Sequence, residues 1–129
     1  MSTILTTTLK ANTLLHSDGS TTTQPSIPAL DTRMAKAWVK FRGLDTLTIN
    51  DSYNVSSITD NGVGHYSVNF TTAMANSIYS PLSSGSFYNW DSHYQTGSYT
   101  TSSFKIYAIR AHNHEYNDTD MIASVVFGS

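Results

Sequence analysis

From residue 37 onward, apolar and polar positions alternate along the chain. In Ala37-Trp38-Val39-Lys40-Phe41-Arg42, residues Ala37, Val39 and Phe41 fall on one side of an extended backbone, and Lys40 and Arg42 on the other. A period of two marks a half-buried strand, because successive side chains of a pleated backbone point to opposite faces. Gly43 ends this run, and residues 46–49 read as a short second strand. The next stretch predicts a hairpin: residues 53–59, a turn at Asp60-Asn61-Gly62, and a return over 65–71. Asn-Gly readily takes the positive φ angles of a tight hairpin turn. On the return strand, Tyr66, Val68 and Phe70 share a face opposite His65, Ser67 and Asn69. Val55 and Ile58 differ in parity, so a bulge is expected near Ser56-Ser57.

Two late strands, 103–111 and 121–127, are apolar on both faces. Ile106 and Ala108 stand against Tyr107 and Ile109, and Val125 and Phe127 against Ile122 and Val126. Such a strand is either central in a sandwich or pressed against another subunit. Residues 80–101, rich in Gly, Ser and aromatics, read as a loop. No internal repeat and no sustained heptad interrupts this pattern. It predicts an all-β fold, an antiparallel β-sandwich of about seven strands over residues 36–129.

Residues 1–35 are different. They carry Thr6-Thr7-Thr8, Thr21-Thr22-Thr23, Pro25 and Pro28, and too few large apolar groups to form a core. Leu5, Leu9, Leu14 and Leu15 need a partner surface to be buried at all. A short helical turn over 32–37, capped by Asp31, is expected here. The segment reads as an extended N-terminal arm for attachment and trimerisation.

Composition strengthens the β reading. The chain holds 129 residues with 19 Ser and 18 Thr, and 12% of it is charged, about half the usual fraction. Thr and aromatic residues suit pleated sheets. A net charge of −2 gives no basic stripe for nucleic acid. There is no cysteine, which excludes disulfides, thiol nucleophiles and Cys-based zinc sites. No secretory signal is seen at Met1-Ser2-Thr3-Ile4-Leu5-Thr6, and no apolar run approaches the roughly 20 residues that span a bilayer. The expected product is a soluble protein made in a cytosol, with no membrane insertion and no cofactor.

Two segments carry candidate binding chemistry. Phe87, Tyr88, Trp90, His93, Tyr94 and Tyr99 are interleaved with Asn89, Asp91, Ser92 and Gln95. Rings stack on the C–H faces of sugars while amides and acids bond hydroxyls, and Trp and Tyr also anchor protein interfaces. The competing reading is that these rings fill the core or a subunit seam. The second segment is residues 111–118, with His112, His114, Glu115 and Tyr116. Two histidines two apart on a strand point the same way. Three such pairs on a three-fold axis would offer six imidazoles to an octahedral metal. The alternatives are a tip facing a receptor and an ordinary polar turn. Glu115 with Asp118 or Asp120 could be drawn as a glycosidase carboxylate pair. Such enzymes usually need a long groove on a larger scaffold, and no catalytic residue is expected.

Residues 36–41, Lys-Ala-Trp-Val-Lys-Phe, followed by 54–74, Asn-Val-Ser-Ser-Ile-Thr-Asp-Asn-Gly-Val-Gly-His-Tyr-Ser-Val-Asn-Phe-Thr-Thr-Ala-Met, resemble a family of bacteriophage tail-fibre and virion structural domains. Ser124-Val125-Val126-Phe127 is similar to that family's last strand. The resemblance implies a non-enzymatic virion component near the tail tip, usually trimeric. It implies that Asn61-Gly62 makes the turn and that Trp38, Phe41, Tyr66, Val68 and Phe70 pack the sheets. Residues 43–51, 88–99 and 112–120 depart from the shared pattern.

A homotrimer is expected on two grounds, the resemblance and the oily surface of the arm and end strands. The expected function is a tail fibre, assembled in the host cytoplasm, that binds a host-surface glycan or protein by multivalent adhesion. Its arm would join other tail or baseplate proteins. The alternatives are a purely structural tail or baseplate connector and a free lectin-like carbohydrate-binding module.

Overall fold

The computed structural model describes residues 7–8, 33–86 and 92–128. The chain divides between residues 31 and 32, and the fold below belongs to the second unit. Its strands are β1 (Ala37–Arg42), β2 (Thr48–Tyr53), β3 (Val55–Gly62), β4 (His65–Phe70), β5 (Tyr79–Ser86), β6 (Ser92–Gly97), β7 (Ser103–Arg110) and β8 (Met121–Gly128). They form two four-stranded sheets, ordered β2-β1-β8-β5 and β3-β4-β7-β6. All pairings are antiparallel. No helix occurs among the described residues.

The alternation works as expected where it is strongest. Ala37, Val39 and Phe41 of β1, Tyr66, Val68 and Phe70 of β4, Phe104 and Ile106 of β7, and Ile122 and Val126 of β8 form one core between the sheets. Its rings meet edge to face. Phe41 and Tyr66 lie 5.2 Å apart at 71°, and Phe70 and Tyr79 5.5 Å apart at 80°, an arrangement that aligns ring edges with ring faces. The late strands β7 and β8 are central in their sheets, which accounts for their two apolar faces. Asn54, at φ 53°, turns the chain from the first sheet into the second. Its side chain accepts from Thr72 N at 2.7 Å and donates to Lys36 O at 3.1 Å.

Several sequence expectations need correction. Eight strands are formed among the described residues, against about seven expected, because the stretch read as a loop holds most of β5 and all of β6. β5, Tyr-Ser-Pro-Leu-Ser-Ser-Gly-Ser, bonds to β8 alone among the described strands. A sheet edge tolerates Pro81 and Gly85, which argue against a central strand. The second strand begins at Thr48 and runs to Tyr53. The helical turn is not formed over residues 33–36, and Ala37 already opens β1.

The hairpin turn lies two residues downstream of Asn61-Gly62, at Val63-Gly64, with Gly62 paired to His65. The expected bulge at Ser56 is present, and a second falls at Asn61. Gly64 takes φ 66°, where a side chain is strained. A Cβ there would also sit 2.6 Å from Ala108 O and 2.7 Å from Asn117 N. Long-range packing, invisible to a local motif, therefore selects the turn. Trp38 does not pack the sheets. It is 37% exposed on the outer face of the first sheet, as its parity opposite Val39 requires.

Candidate functional site

β7 ends in a tight tip whose bonds are local. His114 N donates to Arg110 O at 2.9 Å, and Arg110 N donates to Glu115 O at 2.8 Å. Asn113 holds the bend from within, accepting from Glu115 N at 3.2 Å and donating to Glu115 Oε2 at 2.7 Å. Asn and Asp stabilise such turns because their side chains bond backbone two residues on. His114 takes φ 59°. Residues 111–116 are all exposed.

The chain then runs back beside β7. Asn117 N donates to Ala108 O at 3.0 Å, and Tyr116 pairs with Ile109. The returning segment takes the place beside β7 that β4 gives up at its turn. Asp118 secures it, with Oδ1 accepting from Gly64 N at 2.8 Å and from the Tyr66 hydroxyl at 2.7 Å. Burial, and then this bond to a carboxylate, push the Tyr66 phenol well above its ordinary range.

On the outer face of the second sheet these elements gather three rings. His65 and Tyr116 lie 3.9 Å apart at 84°, His65 and Tyr107 5.1 Å apart at 89°, and Tyr107 and Tyr116 6.3 Å apart at 43°. Gln95 stands opposite Tyr107, and His93 opposite Ile109. Gln95 Nε2 and His93 Nε2 are 3.4 Å apart. Phenol, imidazole and amide thus share one patch of ring surface, and the Glu115 carboxylate, bonded to Asn113, stands on the tip next in sequence to Tyr116. That set can stack on an apolar face and bond hydroxyls or peptide groups around it.

The structure sorts the sequence candidates. It brings His93 and Tyr116 together on this face and places His112, His114 and Glu115 on the tip beside it. Tyr94 points the other way: its neighbours His93 and Gln95 face outward, and its ring packs against the core. Its pKa is raised by burial, and it lies apart from the outward-facing residues of β6. Tyr99 lies beyond the Gly97 end of β6, remote from the tip. There its ring meets Tyr79 at 5.8 Å and its hydroxyl donates to Thr96 O at 3.0 Å. Tyr88, Trp90 and Asp91 lie outside the described residues. β6, which follows them, begins at Ser92 beside Arg110, where the tip also begins.

His112 and His114 sit in a turn rather than a strand, so alternation does not align them. No group of three or more His, Asp or Glu able to hold a metal occurs among the described residues. The carboxylates Glu115, Asp118 and Asp120 have separate partners: Glu115 bonds Asn113, Asp118 bonds Tyr66 and Gly64, and Asp120 Oδ1 lies 3.0 Å from Arg42 Nε. Sequence reasoning missed His65 and Tyr107 as site residues. The available signal was ring-bearing residues at outward parity on two strands. No protein-family model, curated protein or solved structure matches the chain.

Proposed function

We propose that this chain is a bacteriophage tail-fibre component that works as a homotrimer and binds a host-surface glycan or protein. The observation that carries the reading is the exposed tip of residues 111–116 beside the His65–Tyr107–Tyr116 rings. Six consecutive exposed residues bearing two imidazoles, a carboxylate and a phenol have a recognition chemistry that packing does not require. A rigid sheet behind the tip limits the entropy lost when it engages a partner. Weak contacts of this kind become firm when several copies act together. The sequence resemblance supplies the virion setting, with the arm of residues 1–35 joining other tail or baseplate proteins. The reading assigns no catalytic step and no cofactor.

The test is retention of the purified full chain on whole bacterial cells and on their extracted surface polysaccharide. The wild type is expected to bind, and Tyr107→Ala with Tyr116→Ala to lose binding while keeping the same mass in solution. A wild type that binds no bacterial surface while assembling with tail proteins would make it a connector instead.

A further inference from the structure

The outer face of the first sheet has a different character from the recognition face. Register places Tyr53, Trp38, Val125 and Leu82 in one row across β2, β1, β8 and β5. Tyr53 is 44% exposed and Leu82 62%. The next row reads Asp51, Lys40, Ala123, Ser84. Between the β1 and β5 sides lies a shallow groove of about 570 Å³, lined by Trp38, Lys40, Leu82, Ser84, Ala123 and Val125, among others.

We propose that this face is the surface through which copies of the chain associate. The inference rests on the homo-oligomer reading and adds the location of the contact. Two features favour a second copy as the occupant. The apolar row is aromatic at one end and aliphatic at the other, so reversing or rotating a copy sets Tyr53 and Trp38 against Val125 and Leu82 of its neighbour. The two charges of the adjoining row, Lys40 and Asp51, are cross-strand partners of opposite sign. These two rows therefore present no net charge to repel their own image, and Lys40 of one copy can meet Asp51 of another. Ala123 and Ser84 leave the centre low enough for sheets to approach to about 10 Å, the usual spacing of packed sheets. A heterologous packing satisfies these pairings and closes three copies on a three-fold axis, as the homotrimer requires.

Sedimentation equilibrium of the full chain tests the inference, with Leu82→Glu and Ser84→Arg on this face and Thr59→Glu, exposed on the other sheet, as control. Leu82 and Ser84 are exposed, and near-ultraviolet dichroism reports whether each variant keeps its packing. The wild type is expected to be oligomeric, and both face variants to associate about ten-fold more weakly or less, as an uncompensated buried charge demands, with the control unchanged. An oligomer whose association is unaffected by either face variant overturns this inference and leaves the homo-oligomer standing. A monomeric wild type overturns both. A groove that takes an oligosaccharide or an acyl chain instead, read from Trp38 fluorescence in a Trp90→Phe background, also overturns it.

Discussion

The two outer faces of the sandwich begin from the same sequence logic and end differently. β7 and β8 are each central, each apolar on both sides, and each offers its outward residues away from the core. On the second sheet the chain covers its own work: residues 115–117 return beside β7, Tyr116 lies over His65, and Ile109 is left only 9% exposed. On the first sheet no described segment returns over β8, and Trp38, Val125 and Leu82 face outward. Alternation fixes which residues leave the core. It does not say what meets them there, because that depends on where a later segment of chain passes.

The contrast between inward and outward positions can be broken most forcefully in β1. Phe41→Ala removes a fully buried ring and should cost about 3–5 kcal/mol in a denaturant titration. Trp38→Ala, three residues earlier on the outer face, should cost under about 1.5 kcal/mol, since a third of its surface is already solvated. Equal losses would mean that Trp38 is packed within the sandwich.

Asp118→Ala separates the covered face from the open one. It strips the Gly64 amide and the buried Tyr66 hydroxyl of their short bonds and should cost about 2–3 kcal/mol. Amide exchange should rise at Gly64 and Asn117 and stay unchanged at Lys40 and Ala123. Faster exchange on both sheets would deny that the tie is local to the second.

The pH dependence is a smaller effect with a definite sign. Burial raises the phenol pKa of Tyr66, Tyr79 and Tyr94 above the ordinary 10.0, and the Asp118 bond raises that of Tyr66 further. The folded state favours the neutral phenol, so this stability is complete below the unfolded pKa and declines as the pH rises above about 10. The urea midpoint should fall there, and Tyr66→Phe should make that fall shallower. An equally steep fall in the variant would remove Tyr66 from the account. Smallest of all, Asn61→Ala removes a 2.8 Å bond to Ser67 at an exposed bulge and should cost about 0.5–1 kcal/mol in the same titration.

Much of the fold was legible because large apolar residues alternate in β1 and β4, and because the parity mismatch of Val55 and Ile58 demanded the Ser56 bulge. β5 was not legible. Its Ser, Pro and Gly content follows from its place at a sheet edge, which only the topology reveals. The turn was misplaced because Asn61-Gly62 is a good local signal, whereas Gly64 is selected by Ala108 and Asn117, more than forty residues away. The tip was readable as a polar run between two apolar strands. Its ring cluster was not, since His65, Tyr107 and Tyr116 meet only through the β4–β7 register and the return beside it. Tyr94 faces inward because it alternates with His93 and Gln95, a parity that the aromatic density of its segment masks in the sequence.

Hydrogen exchange of the full chain with and without extracted bacterial surface polysaccharide tests the division between the faces most directly. Added protection across residues 105–117, with none at 38–40 or 80–84, is the predicted result. Protection confined to 38–40 and 80–84 would contradict it.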